Sequence, residues 1–470
     1  MMDDLLLLMK QELLVTLLLF ALLFVKLSNR TWSNERLLGW MHLLLACNVV
    51  AGFVYPATGA LFGDMFHTNR LLIFEKNLLA LGTLLISLQA HQWLLRHKHV
   101  PEFYMLLLST LLGMYFMLSS NNLLLFYLAL ELSTIPLAAL VNFELEQRRS
   151  SEAAFKMIVS SAFASGILLF GISLLYGTTG TISFLEIPEK LSDIPLQQFA
   201  LVLLLAGFGF KISAVPFHLW TADVYQGAPV SVTAYLSVVS KGAVLFVLAQ
   251  VLYKVFGALL FSWYNILAVL AVASILIGNL FALRQENIKR FLAFSSIAQV
   301  GFILVGMTGL STEAQTSVVY FVLVYLFSNL AAFGVISVIS AATGREQIAD
   351  YNGLYQTNPL LTWVLALALF SLAGIPPTAG FFGKFFLLLA GAGIQNYLLV
   401  GFAALNMVVS LYYYLRVVRA MFMEPNDAPL PPLSLSWQPA LALAVCAAGI
   451  VITGIVSGAY NYIYELFLLQ

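Results

Sequence analysis

The sequence predicts an all-α polytopic membrane protein with about fourteen transmembrane helices, and three observations carry that reading. Apolar residues make up 61% of the 470-residue chain and charged residues only 9%, where a soluble domain carries about 25%. Apolar runs of about 20 residues, each long enough to cross a hydrocarbon core of roughly 30 Å, recur from one end of the chain to the other. The connections are short, and the longest, 177–196 and the Pro-rich 424–437, are too small to fold separately. Residues 1–470 therefore read as a single transmembrane domain.

Taken in order, the runs lie near 5–27, 37–55, 71–94, 102–119, 122–142, 153–176, 197–220, 229–253, 261–283, 290–309, 315–341, 359–391, 395–422 and 438–464. No small-residue cleavage site follows the first, which reads as a span and not as a signal peptide. In the fifth, Pro136 leaves a carbonyl without its donor and is expected to kink the helix. The seventh is interrupted at Pro216, with Gly227 and Pro229 punctuating the chain again beyond it. The twelfth is too long for one straight span and breaks at Gly374, Pro376 and Pro377. A helix interrupted at membrane depth survives only where its freed backbone groups face protein or water.

Charge sets the expected orientation. Loops after odd-numbered spans hold Lys26, Arg30, Arg36, Arg96, Lys98, Arg148, Arg149, Lys156, Arg284, Lys289, Arg290, Arg345, Arg416 and Arg419. The opposite side holds Lys10, Arg70, Lys76, Lys190 and Lys254. The positive-inside rule makes the first set cytoplasmic and puts both termini outside. The formal net charge is zero, so nothing points to nucleic acid. Cys47 and Cys446 stand far apart in apolar runs, and the only local histidine cluster, His97 with His99, reads as a solvated loop. No nucleotide-binding glycine motif is present, so no cofactor is expected on this chain and redox chemistry falls to other subunits.

Three lysines remain inside spans: Lys211, Lys241 and Lys384. Glu131, near the middle of the fifth span, reads as the one clearly intramembrane carboxylate. A charge at the bilayer centre costs about 2.5–3.5 kcal/mol on insertion scales, and charge beside a broken helix is the usual layout of an ion pathway. The bland alternatives are a packing carboxyl for Glu131 and snorkelling to an interface for the lysines. A buried Glu–Lys pair would act as a switch, because desolvation and proximity push both pKa values in opposite senses. His218, in the first break, would relay protons or satisfy freed carbonyls. Ser295, Ser296 and Gln299 give the tenth span a polar stripe, and Ser240 stands beside Lys241; such groups are interhelical hydrogen bonds or part of a hydrated path.

The broken seventh and twelfth spans stand five elements apart, each with a lysine, as in transporters built from repeated halves. The stretches Lys211-Ile-Ser-Ala-Val-Pro-Phe-His-Leu-Trp-Thr-Ala-Asp-Val-Tyr-Gln-Gly-Ala-Pro, Ser240-Lys241-Gly-Ala, Gln285-Glu-Asn-Ile-Lys-Arg-Phe-Leu-Ala-Phe-Ser-Ser-Ile-Ala-Gln299 and Ala373-Gly-Ile-Pro-Pro-Thr-Ala-Gly-Phe-Phe-Gly-Lys384 resemble the antiporter-like membrane subunits of respiratory complex I, most of all their N-type branch. The resemblance covers about 122–391. The chain ends soon after its last span, without the long extra amphipathic helix of the L-type branch.

This resemblance implies fourteen helices with two inverted five-helix repeats: helices 1–3 over about 1–96, repeat one over about 101–254, repeat two over about 261–423, and a last helix over about 438–464. It implies that Glu131, Lys211, Lys241 and Lys384 take proton-channel positions, with Lys211 next to Glu131. His218, Ser240 and Gln299 would relay protons or hold water. Some members carry histidine where this chain has Gln299, and proline is common where it has Ala222. The implied setting is a bacterial inner membrane, with other complex I membrane subunits and lipid as partners. NADH, FMN, iron–sulfur clusters and quinone would be handled elsewhere in the complex. Competing readings are a subunit of a multisubunit cation/proton antiporter or of a membrane-bound hydrogenase, and a passive membrane spacer, which would need no buried lysines.

The orientation is testable. Cysteines placed at Arg148 or Arg149 should resist an impermeant thiol reagent added outside intact cells, and ready labelling there would invert the topology.

Overall fold

In hydrocarbon every backbone N–H and C=O must find its partner within the protein, and a run of apolar residues meets that demand as a helix. The computed structural model describes residues 2–28, 32–393, 395–426 and 428–469, and Arg30 lies outside the described residues. By length and composition, twelve of its helices can cross a membrane. In chain order the principal elements are α1 (Lys10–Leu27), α2 (Asn34–Phe53), α3 (Arg70–Gln89), α4 (Val100–Leu118), α5 (Leu123–Val141) and α6 (Arg148–Thr179). Then come α7 (Pro195–Ile212), the short α8 (Leu219–Gly227), α9 (Val230–Val255), α10 (Leu260–Ala282), α11 (Ile288–Met307) and α12 (Thr312–Thr343). The chain closes with α13 (Pro359–Ala373), α14 (Ala379–Ala392), α15 (Tyr397–Met423), α16 (Trp437–Ile455) and α17 (Gly458–Leu468).

Each expected span falls on helix. The twelve leave out α1, which carries Lys10, Glu12 and Lys26, and the halves α13 and α14 of the broken run. α5 stays helical through Pro136. A small antiparallel hairpin, β1 (Gly59–Leu61) with β2 (Phe66–Thr68), joins α2 to α3.

The core is a set of enclosed helices. In α12 the whole apolar window is buried, in α11 94% and in α9 89%, whereas in α6, α10, α15 and α16 it is 33–39%. A helix apolar on all sides belongs inside, and α12 fits that description, while the outer helices leave Phe163, Phe261, Leu398 and Leu405 exposed.

One order of local features occurs twice. Asn122 caps α5 and Asn287 caps α11, each with its side-chain oxygen on two backbone N–H groups. The long helices α6 and α12 both have 32 residues and end on left-handed glycines, Gly180 and Gly344. Backbone bridges then tie Asn122 to Ser183 and Asn287 to Gln347. α7 and α13 stop at residues of positive φ, Ser213 at 64° and Gly374 at 88°, each just before a proline.

The second break depends on a close approach. A Cβ on Gly380 would lie 1.7 Å from the Ser371 carbonyl oxygen and 2.6 Å from its carbon, which are main-chain atoms and cannot rotate away. Gly380→Ala should lower the thermal stability of the assembled protein by about 1–3 kcal/mol, as overpacking does. Gly166→Ala, where nothing lies within 4 Å, should leave the melting temperature unchanged or raise it slightly; equal effects of the two would refute the packing argument.

Candidate functional site: a buried lysine axis

Lys211 lies in the last turn of α7, where Pro216 ends the helix for lack of an N–H. The groups freed by the break are taken up inside the protein. Ala214 N–H donates to Gly209 O at 2.8 Å, Val215 N–H to Ser274 Oγ at 2.9 Å, and Trp220 Nε1 to Phe210 O at 3.1 Å. Lys211 Nζ donates to Thr134 Oγ1 at 2.9 Å and to Ser161 Oγ at 2.8 Å. Thr134 stands one helical turn from Glu131, whose Oε1 is buried without a hydrogen-bond partner among the described residues. The two expected partners thus share an interface, but no direct ion pair joins them; hydroxyls fill the space between. Both residues are only half-buried.

Lys241 is enclosed at 2% exposure. It follows a π-helical turn, Leu236–Ser240, inside α9; such turns insert one extra residue and cluster at functional sites. Its ammonium donates to Ser296 Oγ at 2.5 Å and lies 5.2 Å from the Tyr225 ring centre, where the ring face offsets part of the unpaired charge. Ser240 is less buried, and Ser237, one turn earlier, is the inward serine: it accepts from Asn329 Nδ2 at 3.0 Å.

The α11 stripe carries the contacts onward. Ser295 hydrogen-bonds the Tyr414 hydroxyl, and Gln299 Nε2 donates to the same hydroxyl at 3.2 Å and to Leu372 O at 2.9 Å. Lys384, fully buried, donates to Leu372 O at 2.7 Å and Ala373 O at 3.2 Å, with Phe302 beneath it at 4.9 Å. Although Lys384 follows its break and Lys211 precedes its own, Lys384 reaches back across Gly374 to the last carbonyls of α13. The Lys384 ammonium therefore sits at the C-terminal end of a half-helix, where the carbonyl dipoles favour a cation, whereas the Lys211 ammonium is met by hydroxyls of α5 and α6. Gly374 serves twice, by its φ of 88° and because a Cβ there would stand 3.3 Å from Lys384 Cδ.

Between Lys211 and Lys241 lie Ser213 Oγ, His218 Nδ1, Thr221 Oγ1, Tyr225 OH and Ser231 Oγ, all buried without a hydrogen-bond partner among the described residues. Each such atom costs about 1–3 kcal/mol unless something hydrates it. Ser231 opens onto a cavity of about 170 Å³ that is also lined by Glu144, Arg149, Lys289, Ser340 and Glu346. There Lys289 Nζ meets Glu346 Oε1 at 2.9 Å and Ala228 O at 3.1 Å, and Arg149 Nη1 meets Glu346 Oε2 at 3.3 Å. Nearby, Asp223 bridges Lys156 at 2.7 Å and Arg290 at 2.5 Å. Burial pushes its carboxyl up, but the hydrogen bonds from Lys156 and Arg290 outweigh that and hold it below the usual carboxylate range.

Two expectations need correction. Lys76 and Lys289 were assigned to loops by their place near the ends of apolar runs, yet both are buried at 1%. Glu131 is not the only carboxylate within the helices, because Glu12 in α1 and Glu75 in α3 are buried too, and Glu12 pairs with Lys76 at 2.6 Å. In each case a neighbouring helix covers the charge. The sequence signal that was available for Glu12 and Lys76 is that both stand more than one turn inside an apolar run. Tyr225, Ser237, Asn329 and Tyr414 gave no signal, being polar groups in otherwise ordinary helices. Among the described residues no cluster of His, Cys, Asp and Glu could hold a metal ion.

The geometry agrees with what the chain is similar to. The family model described as NADH:quinone oxidoreductase/Mrp antiporter, TM, matches residues 120–410. NADH-quinone oxidoreductase subunit N of Phocaeicola vulgatus is 49% identical over 461 residues, 97% of this chain and 96% of that protein. The subunit N of Azobacteroides pseudotrichonymphae is 46% identical, with 97% and 96% covered. Among solved structures, a chain of respiratory complex I from Thermus thermophilus superposes with a TM-score of 0.82 at 30% identity, over 95% of this chain and 97% of that one. A chain of the Mrp complex from Dietzia sp. gives 0.85 at 20% identity over 97% and 95%, a likeness of fold alone. The lysine axis lies on α5 to α14, within the matched residues, and this chain belongs to the NADH:quinone oxidoreductase/Mrp antiporter family of membrane subunits, with its high-identity relatives in the subunit N branch.

Proposed function

We propose that this chain is a proton-translocating membrane subunit of an NADH:quinone oxidoreductase, respiratory complex I, and that its buried lysines carry the protons. The observation that carries the reading is the pair Lys241 and Lys384: enclosed ammonium groups, answered by a hydroxyl and by helix-end carbonyls, with no carboxylate in contact among the described residues. Holding all the axis lysines charged in low dielectric is costly, and a lysine relieves the cost by giving up its proton. Glu131 stands one turn from Thr134, a partner of the axis lysine Lys211, while Glu12 is already matched to Lys76. A lysine that alternates between charged and neutral is a proton carrier, and Lys241, between the Glu131–Lys211 interface and Lys384, is placed to alternate.

Uptake would run from the cavity around Glu346 and Lys289 by way of Ser231 and water among the unpartnered atoms of the first break. His218 would take part there, and Gln299, which exchanges protons poorly, would hold water and orient Tyr414. Ser240 would contribute at most to the hydration of Lys241. The duplicated caps and breaks support two five-helix repeats, over about 101–254 and 261–423. The capped ends Asn122 and Asn287 lie on opposite faces, because α5 crosses from Asn122 to the face where Arg149 meets Glu346; that fits inverted repeats. The half-exposed Glu131 and Lys211 suit completion by a neighbouring complex I membrane subunit. NADH, FMN, iron–sulfur clusters and quinone would be bound by other subunits. The setting would be a bacterial inner membrane with both termini periplasmic. Purification of the intact assembly separates this reading from a cation/proton antiporter or membrane-bound hydrogenase subunit: flavin and iron–sulfur proteins with NADH oxidation should accompany the chain.

Arginine keeps its charge and does not deprotonate in a protein. Lys241→Arg and Lys241→Ala in reconstituted vesicles should both assemble and both lose proton pumping by roughly tenfold or more. Wild-type pumping by Lys241→Arg beside a defective Lys241→Ala would reduce the residue to a fixed charge.

Glu131→Gln and Lys211→Met should be coupled in pumping rate through Thr134, by about 0.5 kcal/mol or more in a double-mutant cycle. Strictly additive defects would make the two groups independent.

A further inference from the structure

A second buried polar system runs through the three helices that precede the first repeat. The Glu12–Lys76 pair, at 2.6 Å and 1% exposure on each side, is its centre. Beside it Gln11 Nε2 donates to Asn77 Oδ1 at 2.7 Å. Asn77 forms the floor of a cavity of about 210 Å³ that Arg70, Tyr462 and Glu465 also line. Gly52 is what lets the amide stand there, since a Cβ would come within 1.7 Å of Asn77 Oδ1. Glu12 Oε2, Asn77 Nδ2 and Asn48 Oδ1 have no hydrogen-bond partner among the described residues, and all three residues are at most 3% exposed. Toward the centre of the membrane, Asn48 Nδ2 donates to the Tyr115 hydroxyl at 2.9 Å, and Thr110 Oγ1, on the same helix α4, donates to the Tyr235 hydroxyl at 2.8 Å. Tyr235 lies on α9, the helix that carries Lys241. Separate polar contacts thus stand between the Lys241 helix and the cavity at the start of α3, with gaps that water would have to bridge.

We propose that Glu12 and Lys76 form a proton-release site, loaded from the Lys241 region and emptied through the cavity at Asn77 on the face that the loop charges place outside. This inference rests on the translocation reading. The Glu12 carboxylate takes the arriving proton as an O–H bond, leaving the pair with the net charge of the Lys76 ammonium. That charge is unfavourable in the protein interior, and the proton passes from Glu12 to water at Asn77, restoring the neutral pair. A plain structural clamp explains the ion pair but not the unpartnered amides or the cavity beneath them.

A clamp and a release site respond differently to removal of both charges. Replacing both members of a buried pair by apolar residues is often neutral for folding, whereas removing one is not. The complex carrying Glu12→Leu with Lys76→Met should assemble, and its pumping per quinone reduced should fall toward the level of Lys241→Ala in the same membranes. Wild-type pumping by the double variant would make the pair a clamp and overturn the proposal. In parallel, Asn77→Cys should be labelled by a small impermeant thiol reagent added from the outside, read by mass spectrometry of its peptide. Absence of labelling, or labelling only from the cytoplasmic side, overturns the release route even if the double variant fails to assemble. Wild-type pumping by Lys241→Ala would instead sink the translocation reading, and the Asn77 labelling would still report on access.

Discussion

An ammonium group enclosed by hydrocarbon needs something negative within reach, and how this chain meets that need shapes its interior. Carboxylates are scarce along the axis. Lys384 uses the last carbonyls of α13, Lys211 at the end of α7 uses Thr134 of α5 and Ser161 of α6, and Lys241 uses Ser296 and the face of Tyr225. Helix-end carbonyls are available at membrane depth only where a helix stops there. The break at Gly374, Pro376 and Pro377 is thus part of the electrostatics as much as of the folding.

These partners are weak in the useful sense. A carboxylate in direct contact would hold a lysine in its charged form, whereas a hydroxyl or a carbonyl stabilises the ammonium by less and leaves the neutral amine within reach. The same logic gives the shared acceptor Leu372 O a role. Gln299 and Lys384 both donate to it, so a change in charge at Lys384 alters the partner available to Gln299 and, through Tyr414, to Ser295. The charged residues around the Glu346 cavity follow the opposite rule. Lys289, Arg149 and Glu346, like Asp223 with Lys156 and Arg290, form close ion pairs near the ends of helices, where each cation meets a carboxylate directly.

The enclosed helices α9, α11 and α12 provide the dry surroundings that make the lysine charges expensive, and the outer helices provide the lipid contact. α1 to α3 add a separate ion pair, Glu12 with Lys76, that is as well shielded as the axis itself. Counting charges by their distance from the ends of apolar runs put Lys76 and Lys289 in loops. Their burial comes from elements packed across them, Glu12 from α1 in one case and Glu346 from the segment after α12 in the other.

The sequence by itself determined the membrane character, the position of each expected span and both helix breaks, because hydropathy, proline and glycine act over a few neighbouring residues. It also exposed Lys211, Lys241, Lys384 and Glu131, since a charge inside an apolar run is conspicuous without any knowledge of its neighbours. What met those charges was decided only by the tertiary structure. The Thr134 and Ser161 hydroxyls between Glu131 and Lys211, the reach of Lys384 back to Leu372, the choice of Ser296 for Lys241 and the pairing of Glu12 with Lys76 all join residues on different elements. No local pattern encodes those meetings; they follow from which helix faces pack together, and packing is a property of the whole bundle.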